Sequence, residues 1–164
     1  MDDGLIRPLR ERFLSPISRA FFPECVSGTL DSHKAFVVTY RIGQDLDLDY
    51  HYDSAEVTVN ISLDDSFEGG DLYFGSMRGR TPPCDTSFAR CVHECGRGVL
   101  HRGQHMHGAM PLESGERQNL IVWVRSSGVR NALCPMCGQP PVLMETEGSG
   151  DGFTTKQVDV CTTV

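Results

Sequence analysis

Val57-Thr58-Val59-Asn60-Ile61-Ser62-Leu63 alternates apolar and polar residues without a slip. That is the period of a β-strand with two unlike faces. Val57, Val59, Ile61 and Leu63 take one face, and Thr58, Asn60 and Ser62 take the other. The usual account is core on one side and water on the other. The sharper account is that the polar face lines a site. Working outward, Phe36-Val37-Val38-Thr39-Tyr40 and Asn119-Leu120-Ile121-Val122-Trp123-Val124-Arg125 are rich in β-branched and aromatic residues and predict strands. Asp71-Leu72-Tyr73-Phe74-Gly75 and the run starting Gly98-Val99-Leu100-His101 predict two more. Gly69-Gly70 predicts a turn, as does the passage through Pro111 and Ser114-Gly115. Residues 76–95, with Pro82-Pro83 and three Cys, read as irregular.

Toward the N-terminus, Leu5, Leu9, Phe13, Ile17 and Phe21 recur every four residues and predict a helical stripe packed on a sheet. Pro16 is expected to interrupt it, with Ser15 capping a second short helix. Short strands with Gly/Pro turns after one or two helices predict a mainly β fold, a β-sandwich or double-sheet jelly roll. The expected division is a helical segment over 1–35, a β core over 36–144 and a flexible tail over 145–164, where Gly148-Ser149-Gly150-Asp151-Gly152 lies.

Composition narrows the function. A chain of 164 residues suits one domain with a real core. The net charge of −7 argues against nucleic acid or an anionic membrane surface as the main partner. No apolar run approaches the ~20 residues that span a bilayer, and MDDGLIRPLR does not read as a signal peptide. The 7 Cys are odd in number and loosely spaced. Free thiols in a reducing interior, cytoplasmic or nuclear, are the expectation.

His51-Tyr52-Asp53 is the candidate for chemistry. On an extended strand, residues two apart point to one face. One imidazole and one carboxylate then reach a single cation. Two His plus one carboxylate, with open positions left over, is the facial triad of non-haem Fe(II) oxygenases. A third ligand is needed, and His101, His105 and His107 are all candidates by local sequence.

Three ordered pieces carry a resemblance: His51-Tyr52-Asp53; Glu68-Gly69-Gly70-Asp71-Leu72-Tyr73-Phe74; and His107-Gly108-Ala109-Met110-Pro111 running on to Arg117. Together they resemble the catalytic core of the 2-oxoglutarate and Fe(II)-dependent oxygenases, in the prolyl 4-hydroxylase and lysyl hydroxylase branch. The resemblance covers residues 36–126 and implies a double-stranded β-helix (jelly roll). It implies iron on His51, Asp53 and His107, because the family's basic residue follows the distal His by about ten residues, as Arg117 follows His107. Arg117 would then bind the distal carboxylate of 2-oxoglutarate, where its planar fork suits a carboxylate. Tyr40 stands eleven residues before His51, as a cosubstrate-binding Tyr does in lysyl hydroxylases. Asn60 matches an Asn in their corresponding strand. Prolyl hydroxylases often carry a Tyr where this chain has Ser62, which directs attention to Tyr40 and Asn60. The implied reaction consumes O2 and 2-oxoglutarate, releases succinate and CO2, and hydroxylates a C–H bond of a protein or small-molecule acceptor. L-Ascorbate, in the family, keeps the iron reduced. Members that halogenate lack the carboxylate at the Asp53 position.

Two other readings compete. One is a catalytically silent jelly-roll interaction module. The other is a zinc-binding adaptor, with Cys134-Pro135-Met136-Cys137 completed by Cys84, Cys91, Cys95 or His93. No second CxxC supports it.

Overall fold

The structure, a computed structural model, describes residues 2–26, 29–80, 88–144 and 158–159. Its strands of three or more residues are β1 (Ser32–Arg41), β2 (Leu48–His51), β3 (Val57–Ser62), β4 (Phe67–Gly69), β5 (Leu72–Met77), β6 (Ala89–Cys91), β7 (Gly98–Arg102), β8 (His105–Ala109) and β9 (Leu112–Arg125). One sheet runs β1-β9-β3-β7, with β4 also paired to β9. A second sheet runs β2-β8-β5-β6, with antiparallel pairings. This is the mainly β, two-sheet architecture expected from the alternating stretches.

Contacts divide the chain into two compact units. One comprises Met1–Ala35, Ser54–Thr58 and Val122–Val164; the other comprises Phe36–Asp53 and Val59–Ile121. In the second unit Tyr40, Leu72, Ala109 and Leu112 form a buried cluster, with Val38, Leu46, Phe67 and Phe74 packed against it. Full burial of Leu72 or Leu112 contributes roughly 1.5–3 kcal/mol each.

The 57–63 stretch is a strand, but both of its faces are closed. Thr58, Asn60 and Ser62 are as buried as Val57 and Val59, while Leu63, assigned inward by alternation, is exposed beyond the strand end. The polar face is therefore buried, whereas the usual account of alternation would have it face water. The turn expected at Ser114-Gly115 is instead strand: β9 runs through it, and Gly115 pairs with Phe67 of β4. Gly115 has φ +82°, and a side chain there would strike the Ser66 carbonyl. Glycine serves here as close approach rather than as a turn. Within 76–95, Ala89–Cys91 forms β6, while residues 81–87 lie outside the described residues.

The N-terminal expectation needs two corrections. Helix runs through Pro16, and the residues before it, Arg10–Leu14, wind as π-helix. The Ser15 N–H bonds the Arg10 carbonyl five residues back, and Ser15 makes no side-chain cap. A wide turn at this point accommodates a residue that lacks an N–H. The buried row is Ile6, Arg10, Leu14 and Ser18, whereas Phe13, Ile17 and Phe21 are exposed, Phe21 at 70%. Arg10 is held by the Asp31 carbonyl, which fixes which row turns inward. Of the predicted tail, residues 145–157 and 160–164 lie outside the described residues; Val158–Asp159 pairs antiparallel with Leu143–Met144.

Candidate metal and cosubstrate site

β2 ends at His51, and β8 carries His107 directly opposite it as its Cα register partner. Asp53 lies just past the end of β2. Its N–H bonds the Gly103 carbonyl at 2.8 Å, and its own carbonyl accepts from Gln104 Nε2 at 3.2 Å. These bonds turn the carboxylate back toward the strand pair. Asp53 Oδ1 is 3.5 Å from His51 Nε2, and Oδ2 is 3.7 Å from His107 Nε2. One ligating atom from each of the three lies within 4.8 Å of the others, which makes them the group of His, Cys, Asp or Glu side chains, among the described residues, suited to hold a metal ion.

The tautomers suit that purpose. His51 Nδ1 donates to the Asp49 carbonyl at 2.7 Å, and His107 Nδ1 donates to the His105 carbonyl at 2.8 Å. A carbonyl only accepts, so each Nδ1 carries the proton and each Nε2 lone pair faces the centre. Burial pulls His51 down, but the Asp53 carboxylate and the Asp49 carbonyl outweigh it and leave His51 above its ordinary range. His107 stays below, because its burial outweighs the same kind of support.

The structure separates the three downstream histidines. His105 turns away, its Nε2 bonded to the Gly75 carbonyl at 2.9 Å. His101 is buried beside the centre, with Nε2 4.0 Å from Asp53 Oδ2 and its ring 4.5 Å from that of His107. Its Nδ1 donates to the Arg102 carbonyl. Burial, then the neighbouring His107, push it down to about 4. Phe74 packs over the rings of His101, His105 and His107.

Arg117, on β9, is 1% exposed. Nη1 donates to the Gly70 carbonyl and Nη2 meets His93 Nδ1 at 2.9 Å, while Nε has no partner. Its guanidinium carbon lies 5.5 Å from the centre of the Tyr40 ring and 5.6 Å from that of Phe67. Among the described residues no carboxylate forms an ion pair with it. Burial lowers its pKa, opposed by Tyr40, Asp71 and Asp64. Burial likewise holds Tyr40 in its phenol form, although Arg117 opposes that. The Asn60 side-chain oxygen accepts from Asn119 Nδ2 at 2.9 Å, so it braces β3 against β9.

No protein-family model matches the chain. It is 53% identical over 164 residues to the human 2-oxoglutarate and iron-dependent oxygenase domain-containing protein 2, covering 98% of this chain and 47% of that protein. It is 41% identical over 132 residues to the Arabidopsis thaliana 2-oxoglutarate and iron-dependent oxygenase domain-containing protein ICU11, covering 78% of this chain and 33% of the relative. Over nearly its whole length the chain is similar to proteins named as 2-oxoglutarate and iron-dependent oxygenases. It spans about half the length of the first of these relatives. A crystal structure of a 2OG-Fe(II) oxygenase family oxidoreductase from Burkholderia pseudomallei superposes with a TM-score of 0.53 at 18% identity, over 74% of this chain and 54% of that one. That likeness shows the shared jelly-roll fold.

Two residues beside the site are not singled out by the sequence. His93 was weighed only as a zinc ligand, yet it lies against Arg117. His101 was one of three equivalent candidates, yet it lies beside Asp53 without joining the ligating group. Nothing local marks either one, since both depend on pairing between distant strands. Of the alternative zinc set, Cys84 lies outside the described residues.

Proposed function

We propose that the protein containing this chain is an Fe(II)- and 2-oxoglutarate-dependent dioxygenase that hydroxylates a C–H bond of a protein or small-molecule acceptor. The observation that carries this reading is the convergence of His51 Nε2, Asp53 and His107 Nε2 in the same unit as a buried arginine that, among the described residues, has no carboxylate ion pair. Two neutral imidazoles and a carboxylate form the donor set of a facial triad. A buried guanidinium that lacks an anion is costly unless one arrives, and the distal carboxylate of 2-oxoglutarate meets that need.

Iron and 2-oxoglutarate, when bound, supply an oxidant made from O2 and release succinate and CO2. The chain's own residues do the rest. His51 and His107 keep their Nε2 lone pairs aimed inward through backbone-anchored Nδ1 protons. Asp53 supplies negative charge, and its presence favours hydroxylation over halogenation. Arg117 orients the cosubstrate, with Tyr40 beside it. Phe74 covers the histidines and excludes water. Ascorbate is the expected reductant when turnover is uncoupled.

The test is anaerobic titration of Fe(II) and 2-oxoglutarate into the full-length protein, followed by a succinate assay in air. Uncoupled succinate formation is expected, and Asp53→Ala should abolish it. Unchanged turnover in Asp53→Ala defeats the assignment. Tight Fe(II) binding without succinate would instead identify a silent module that retains the fold.

A further inference from the structure

His93 reaches Arg117 from the segment between β6 and β7, and its ring is buried. Its Nε2 stands 3.1 Å from the Asn60 carbonyl oxygen. That oxygen can only accept, so Nε2 carries the proton and Nδ1 of the neutral ring keeps its lone pair. The lone pair meets Arg117 Nη2 at 2.9 Å. The orientation is therefore settled: Arg117 donates and His93 accepts. On the other arm of the fork, Nη1 donates to the Gly70 carbonyl. Gly70 has φ +69°, and a Cβ there would come within 3.3 Å of Nη1, so the turn is shaped to let its backbone approach the guanidinium.

Each arm of the fork thus gives one N–H to a fixed neutral acceptor. A guanidinium has five N–H groups, so three remain, including the unpartnered Nε–H. The chemical type of the two acceptors is the informative point. A carboxylate at residue 93 would also hold the fork, but it would cancel the charge and compete with an incoming anion. A neutral imidazole and a backbone carbonyl fix the direction of the fork without neutralising its charge.

We propose that His93 is a positioning residue for 2-oxoglutarate: as a neutral acceptor it locks the Arg117 fork in the orientation that receives the cosubstrate's distal carboxylate. This rests on the reading of Arg117 as the cosubstrate anchor. A bidentate carboxylate contact depends on the angle of the fork as well as on its charge. Without His93 that angle is lost, and the fork must be ordered at the moment of binding.

The experiment uses the full-length protein loaded with Mn(II), which binds without turnover. Calorimetry measures two ligands, 2-oxoglutarate and 2-oxobutyrate. The second keeps the 2-oxo acid head and lacks the distal carboxylate. His93→Ala should weaken 2-oxoglutarate about tenfold and leave 2-oxobutyrate within about twofold. His93→Asn, which returns an acceptor near the Nδ1 position, should recover most of the loss. His93→Asp should weaken 2-oxoglutarate more than alanine does. Unchanged or tighter 2-oxoglutarate binding in His93→Ala overturns the proposal, as does an equal loss for both ligands. If the alanine variant fails to fold, the Asn and Asp variants decide: equal 2-oxoglutarate affinity in the two overturns it. Arg117→Ala separates the two ideas. Full affinity there removes the cosubstrate reading itself, whereas a loss there with His93→Ala intact removes only the role of His93.

Discussion

Among the described residues two arginines, Arg117 and Arg130, are less than 2% exposed, and their surroundings differ in kind. Arg130, in the unit containing Ser54–Thr58, is 0% exposed, and Arg117, in the other unit, is 1% exposed. Arg130 faces Glu56, with Nη1 to Oε1 at 3.5 Å, and donates to Ser54 Oγ at 2.9 Å. Glu56 in turn accepts from the Ser126 N–H. Burial pushes the Glu56 carboxyl up, but Arg130 leads the groups that pull it back. The charge on Arg130 is thus answered within the fold. Among the described residues the hydrogen-bond acceptors of Arg117 are neutral, His93 and the Gly70 carbonyl. Asp71 and Asp64 favour its charge without forming an ion pair with it. The difference is the one expected if Arg130 serves structure and Arg117 serves the cosubstrate, as proposed above.

The largest expected effect tests the structural side. Glu56→Ala removes the carboxylate that faces buried Arg130 and should cost about 3–5 kcal/mol in denaturant unfolding. The folded fraction should bind 2-oxoglutarate as before. A loss below about 1 kcal/mol would erase the contrast. On the ligand side, Arg117→Ala should weaken 2-oxoglutarate about 100-fold or more by calorimetry on the Mn(II) form. Metal affinity should hold, because His51, Asp53 and His107 are untouched.

Acid sharpens the comparison from a third direction. In the metal-free protein His101 titrates at about 4 rather than 6.5, because it is buried. The unfolded chain therefore takes up this proton first as pH falls. Stability should drop from about pH 6.5 downward and level off near pH 4, by up to about 3 kcal/mol from this group. His101→Gln should flatten that slope in urea titrations of the metal-free protein. An unchanged slope would mean that the proton uptake lies elsewhere.

How much of this was legible beforehand follows from the range of each signal. The alternation at 57–63 is local, so the strand could be read, and so could the pairing of His51 with Asp53 on one side. That β2 stops at His51 could not, because Asp53 is aimed by Gly103 and Gln104, some fifty positions away in the chain. His107 came from a family spacing. Its physical cause, lying opposite His51 across β2 and β8, is a pairing that no local window contains. The N-terminal stripe misled because spacing by four describes two adjacent rows equally well. The row with Arg10 and Ser18 is buried through the Asp31 carbonyl, and the more apolar row faces out. Gly115 was read as a turn because glycine marks both turns and close backbone approaches.

The smallest expected effect is the most diagnostic. Arg117→Met removes a buried charge that, among the described residues, forms no ion pair with a carboxylate, while keeping most of the volume of the side chain. In the absence of ligand, the desolvation cost of the cation disappears along with two hydrogen bonds to neutral acceptors. These terms oppose each other, so stability should change by no more than about 1 kcal/mol in either direction. Adding 2-oxoglutarate with Mn(II) should raise the melting temperature of the parent protein and leave that of Arg117→Met nearly unmoved, since stabilisation by a ligand follows its affinity. A drop of 3 kcal/mol in the ligand-free variant would place Arg117 with Arg130 as a structural residue, and the buried cation would then need another explanation than the carboxylate proposed for it.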